Sequence, residues 1–231
     1  CVIGLVLWER RAAQPLLDPG LLQQLGTALI YAIAFVSAIP IFSVTIYSAT
    51  YYMARFHASA AQAGLALLFL ALPLGIGQGV GGRLLNRFGP KAVLAAGLCS
   101  LAAGLTFLAF DPRLSGVRIG LALCGLGMGL ATAPPNVLIY RYVDASRRGA
   151  ATGLLTMFSS SGAITAPAIV TAALNRGIDT ALDFRSEYVL ALALALACIP
   201  LSALLPVAAS PGEPRESEPA AVTRTAYPAV E

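Results

Sequence analysis

The 231-residue chain is 58% hydrophobic and only 11% charged, against about 25% charged in a soluble domain, so it cannot cover a water-facing surface and its main solvent is lipid. Its net charge of +4 comes from cations at the ends of apolar runs, as topology signals are placed, and no basic stripe exists to hold nucleic acid. Four cysteines and one histidine show no metal-ligand spacing; no metal and no cofactor is expected, and Cys99, Cys124 and Cys198 read as small buried hydrophobes inside apolar spans.

Residues 1–8, CVIGLVLW, reach about 12 Å as helix, against a hydrocarbon core of about 30 Å. They read as the end of a helix that begins earlier, which makes the chain a piece of a longer protein. A lipidated Cys1 is the rival reading, and the apolar run that follows it, in place of a polar tether, argues against that. Residues 9–20, ERRAAQPLLDPG, form a cytoplasmic or interfacial connector in which Pro15, Pro19 and Gly20 interrupt any helix. Residues 1–24 are thus a helix end plus connector. Six continuous apolar runs follow, near 25–47, 61–82, 91–110, 117–140, 150–174 and 187–207. Each has the length a helix needs to cross a bilayer, and none shows the alternation of barrel strands. The prediction is all-α, a polytopic membrane bundle of six transmembrane helices over 25–207. The tail, 208–231, contains Pro211, Pro214, Pro219 and Pro228 with several glutamates; it is expected to be disordered and cytoplasmic.

The first span is the most polar. Tyr31 lies early in it, and Pro40, Ser43, Tyr47 and Tyr51 recur at steps of three and four, one face of a helix. In lipid such a stripe turns to protein or to a water-filled cavity. The second span carries Gly75 and Gly79, and also Gly77 and Gly81, four residues apart; the fourth carries Gly125 and Gly129. Small residues so spaced let helices approach closely, as packing or as a sliding surface. Pro134 and Pro135 remove two backbone donors and should kink the fourth span just before the polar Asn136. The spans 91–110 and 187–207 carry almost no hydrogen-bonding side chains and suit lipid-facing positions. No ionisable residue lies in the middle of any span, so no proton site is expected in this stretch. The Ser159-Ser160-Ser161 cluster has no nearby His or Asp and reads as helix packing.

Cations set orientation. Arg10, Arg11, Arg83, Arg87, Lys91, Arg141, Arg147 and Arg148 fall on one side, with Arg215 and Arg224 of the tail; Arg55, Arg113, Arg118, Arg176 and Arg185 fall on the other. The richer side is cytoplasmic. Its densest point is the hairpin Gly82-Arg83-Leu84-Leu85-Asn86-Arg87-Phe88-Gly89-Pro90-Lys91 between the second and third spans.

That hairpin resembles the G-x-L-x-D-R-x-G-R-[RK] loop of the major facilitator superfamily: Gly82, Leu84, Arg87, Gly89 and Lys91 match, while Asn86 replaces the acid and Pro90 a base. The family carries the loop once per half, and these departures resemble the second copy. The connector ERRAAQPLLD, the stretch TYYMARFHASAAQAGLALLFLALP and the stretch RRGAATGLLTMFSSSGAITAPAIV resemble the fourteen-span drug:proton antiporters. The resemblance covers about 1–207. It implies a six-helix C-terminal half, a missing N-terminal half that holds most protonatable carboxylates, and alternating access exporting small amphipathic or hydrophobic compounds against protons across a bacterial inner membrane. It also implies a bilayer setting, with a periplasmic adaptor as a further partner. On it, Tyr31, Ser43, Tyr47, Tyr51 and Asn136 are candidates for the substrate path, and Gly82, Arg83, Asn86, Arg87, Gly89 and Lys91 form the signature loop. Gly75, Gly79, Gly125, Gly129, Pro134 and Pro135 are candidates for packing or gating. The alternatives are a carrier of another substrate class, a non-transporting membrane subunit, and a membrane-embedded enzyme, for which no convergent catalytic set is visible.

Overall fold

The computed structural model describes the backbone of residues 25–143, 147–174 and 180–204, and the side chains of these except at 169–174 and 180–184. The N-terminal apolar run and connector, the C-terminal tail, and parts of the connections after Tyr142 and after Leu174 lie outside the described residues. Every element among the described residues is helical: α1 (Leu25–Phe56), α2 (Ala60–Ala66), α3 (Leu68–Phe110), α4 (Leu114–Thr132), α5 (Pro134–Tyr142), α6 (Arg148–Leu174) and α7 (Thr180–Ala203). Four stretches, Leu25–Phe56, Ala60–Phe110, Leu114–Tyr142 and Arg185–Ala203, are long and apolar enough to cross a membrane. The chain is a multi-pass membrane protein.

The helix ends follow local chemistry. His57 takes a positive φ of 49° and stops α1. Ser59 then opens α2 with a reciprocal cap: its hydroxyl accepts from Gln62 N–H at 3.3 Å, and Gln62 Oε1 accepts from Ser59 N–H at 3.0 Å. Asp111 ends α3, and its carboxylate accepts the Arg113 N–H at 3.2 Å, leading into α4.

Two helical stretches are interrupted, one within the basic hairpin and one within an apolar run. The basic hairpin was expected to be a loop; instead helix runs through Arg83–Phe88, and the break narrows to Gly89, at φ 79° and ψ 161°. That conformation is open to glycine almost alone, and Pro90 suits the first position of a new helix because its missing N–H has no partner there in any case. The second break is at Ala133. Pro134 and Pro135 supply no backbone N–H, so α4 stops and α5 begins with proline in its first turn.

The two arms of α3 pack on opposite flanks of α4. On the first arm, Leu70 meets Gly125 and Gly77 meets Gly129; on the second, Gly97 meets Gly127 and Ala131, and Gly104 meets Gly120 and Cys124. Residue numbers rise together in the first set and oppositely in the second, so the chain reverses at Gly89. The contacts are backbone to backbone: a methyl group added at Gly77 would lie 2.8 Å from the Leu126 carbonyl oxygen, and one at Gly97 2.9 Å from that of Gly127. Ser100 Oγ donates to the Leu123 carbonyl at 2.9 Å across the same seam. Lipid tails are as apolar as leucine, so such close contact is what holds the helices together. Gly75 and Gly79 point the other way, and nothing lies within 4 Å of a methyl group added at either.

Two apolar clusters stack along the bundle. One joins Ile30, Tyr31 and Ile33 to Leu94, Leu98, Leu138, Ile139, Leu155 and Cys198. The other joins Val44, Tyr51 and Tyr52 to Leu101, Leu105, Leu121, Cys124, Tyr188 and Ala191. Cys124 and Cys198 are buried as expected, but Cys99 is exposed; it lies about 100° around the helix from the buried Leu98 and faces outward.

Candidate functional site

Between the two clusters α1, α4, α5 and α6 leave a partly open cavity of about 230 Å³. Its walls are Ala34, Ser37, Ala38, Ile41 and Phe42 of α1, Ala131 and Thr132 of α4, Pro135 and Asn136 of α5, and Leu155, Thr156, Ser159 and Ser160 of α6. The break at Ala133 lies beside this opening: α4 ends there and α5 begins, with Thr132, Pro135 and the half-buried Asn136 on the wall. Thr132 and Thr156 bond back to their own helix, to the Gly129 and Thr152 carbonyls at 3.0 Å each. The lining has six uncharged polar residues among apolar ones and no charge. Such a wall offers adaptable apolar contact with a few polar handles, and no set for covalent or acid–base chemistry.

The residues predicted for a path are distributed unevenly. Asn136 lines the cavity. Tyr31 is buried below it: its hydroxyl donates to the Ala151 carbonyl at 3.3 Å and its ring stacks on Phe158 at 5.4 Å. Ser43 and Tyr51 are buried, and Tyr47 is half-buried against the upper cluster, the one that holds Val44 and Tyr188. These three lie on a different face of α1 from Ser37, Ile41 and Phe42. Tyr51 meets Tyr188 edge-on at 5.3 Å. Sequence reasoning did not single out Ser37 and Phe42 and read Ser159 and Ser160 as helix packing, whereas all four line the cavity; their signal is that they and Asn136 fall at one depth of neighbouring spans, which only chain reversal makes visible. It also passed over Gly162, where an added methyl group would strike the Phe35 carbonyl oxygen, fixing α1 against α6 beside the cavity.

The signature loop stays on the surface. Arg83, Asn86 and Arg87 are exposed and Lys91 is half-buried; the Arg87 guanidinium lies 5.4 Å from the centre of the Phe88 ring. A second hollow, of about 480 Å³, sits at the far end between Tyr52, Phe56, Gln62, Phe69 and Arg118. Arg118 stacks over Phe69 there at 5.4 Å. Among the described residues no group of three His, Cys, Asp or Glu could hold a metal ion.

Residues 27–229 match the family model of the Major Facilitator Superfamily. Over 183 residues the chain is 26% identical to the multidrug resistance protein Stp of Mycobacterium tuberculosis (strain ATCC 25618 / H37Rv), covering 78% of this chain and 34% of that protein. It is 28% identical over 168 residues to the drug efflux pump JefA of the same strain, covering 70% and 33%. Over 110 residues it is 33% identical to the multidrug resistance protein MdtH of Yersinia pestis (strain Pestoides F), covering 45% and 27%. The chain spans about a third of the length of these mycobacterial relatives.

Proposed function

Since this chain belongs to the major facilitator superfamily, whose members are membrane transport proteins and not enzymes, we propose that it supplies the six-helix C-terminal half of a bacterial inner-membrane exporter. Its substrates are small amphipathic or hydrophobic compounds, moved by alternating access in exchange for protons. Six crossings follow if the chain reverses at Gly89 on the cytoplasmic surface, so that each arm of α3 crosses once. The Ala60–Phe110 stretch has 51 residues, about 76 Å if straight at 1.5 Å per residue, more than twice the hydrocarbon core. The observation that carries the substrate reading is the uncharged cavity at the Ala133 break. It gives an organic anion no counter-charge from this side, and at about 230 Å³ it is smaller than a whole drug site, as one wall of a shared cavity is. The multidrug relatives support the same substrate class.

The test is a resistance profile across chemically distinct compounds in an efflux-deficient bacterium, normalised to membrane abundance. Asn136→Leu replaces the amide at the cavity wall and should shift some compounds and not others, by a factor of roughly 5–150 for about 1–3 kcal/mol of altered contact. Tyr47→Ala removes a ring packed in the upper cluster and should lower all compounds together, in step with abundance. A uniform, abundance-tracking loss for Asn136→Leu would remove the cavity from the path; a substrate-selective change for Tyr47→Ala would place the tyrosine face of α1 in it.

A further inference from the structure

Among the described residues, three buried side-chain polar atoms lack a hydrogen-bond partner, and they belong to two consecutive residues: both carboxylate oxygens of Glu187 and the hydroxyl of Tyr188. Glu187 is 2% exposed and Tyr188 is fully enclosed. Glu187 begins the run read as the last span, 187–207, and among the described residues it leads the inward stripe of α7, which continues through Ala191, Ala195, Cys198 and Ser202 at steps of four, four, three and four. α7 packs this stripe against α1 and α3.

Among the described residues, no ionisable group hydrogen-bonds to Glu187. On α7, Arg185 lies over the Phe110 ring at 5.2 Å. On α1, Tyr51 presents its ring to Tyr188 and Arg55 is exposed one turn on. Asp111, at the end of α3, carries like charge; Cys124 of α4 sits in the same apolar cluster as Tyr188. The described side chains of α6 beyond Arg148 are uncharged. An isolated anion in such a place costs several kcal/mol, whereas a neutral acid costs far less. A metal ion needs further ligands, and among the described residues no group of three His, Cys, Asp or Glu forms around it. A proton needs only the carboxylate.

We propose that Glu187 is a proton-binding residue of this protein. It gains an O–H bond from water at the end of the bundle where Arg55, Asp111, Arg113 and Arg185 gather, holds the proton while the Tyr51–Tyr188 contact encloses it, and returns it to water when α7 separates from α1. This rests on the proton-exchange reading above and adds a coupling residue in this half, where the sequence indicated none.

Infrared spectroscopy of the protein, expressed from its full reading frame and held in lipid nanodiscs, tests this without any substrate. The wild type should show the carbonyl stretch of a protonated carboxyl group free of hydrogen bonds, shifted in deuterium oxide and missing in Glu187→Gln. Absence of the band from the wild type, or its persistence in Glu187→Gln, overturns the proposal. In inverted vesicles energised by a pH gradient, with ethidium as the probe, Glu187→Gln should lower accumulation by roughly tenfold or more, and Glu187→Asp should restore it with a displaced pH profile. Wild-type accumulation by Glu187→Gln overturns it. If Glu187→Gln does not reach the membrane, Glu187→Asp decides: a displaced profile supports the proposal and an unchanged one overturns it. A wild type that shows the infrared band but moves no ethidium tells against the efflux reading alone.

Discussion

Single glycines decide how closely these helices sit. Gly125 lies under the Leu70 carbonyl and Gly129 under that of Leu74, so a side chain at either must push α4 off the first arm of α3. Gly125→Val should cost about 1–3 kcal/mol or more through overpacking. It should reduce both membrane abundance and the melting temperature in detergent. Gly79→Ala meets open space and should leave thermal stability unchanged or raise it by up to about 1 kcal/mol, since the loss of glycine's freedom favours the helix. Equal damage from both would mean that the assigned packing face of α3 is wrong. The sequence showed the spacing of all four of Gly75, Gly79, Gly125 and Gly129 alike. It could not separate the packed pair from the open one, because a four-residue step fixes a helix face but not what lies against it. Glu187 was missed for a related reason: a charge at the edge of an apolar run looks like a loop residue until the neighbours that enclose it are placed.

At the scale of elements, the breaks matter more than the helices. Gly89 turns α3 back on itself within one residue, and nothing crowds a methyl group there; the demand is purely one of backbone angle. Gly89→Ala should therefore cost on the order of 1–3 kcal/mol, read as a lower melting temperature, whereas Phe88→Ala, at an exposed position, should cost little. An unperturbed Gly89→Ala would show that the bend does not require the observed φ of 79°. Both breaks were legible as chemistry: glycine followed by proline at 89–90, and paired prolines at 134–135. Their extent was not. The polar side chains of Arg83, Asn86 and Arg87 suggested a loop, yet helix persists through them because Leu84 and Leu85 stay half-buried while these three point outward.

The whole molecule is apolar outside as well as inside. Ile164 is 76% exposed, Leu72 and Leu65 64%, and Ile76 60%, which water would not tolerate over so large an area. We expect the signature loop and the connection after Tyr142 to face the cytoplasm, and the connections at 57–59 and 111–113 to face outward. In a cysteine-free background, a membrane-impermeant thiol reagent applied to intact cells should label Ser115→Cys but reach Asn86→Cys only after permeabilisation; the reverse pattern would invert the topology. Composition alone determined that the chain lives in lipid, and the lengths of its apolar runs gave an all-helical bundle, because a backbone in hydrocarbon must satisfy its own hydrogen bonds. The signature residues from Gly82 to Lys91 pointed to the superfamily. Only the tertiary structure decided which glycines touch, which face of α1 borders the cavity with Asn136, and that Glu187 is enclosed without a partner. Those are relations between helices, and periodicity along one helix carries no record of its rotation against the next.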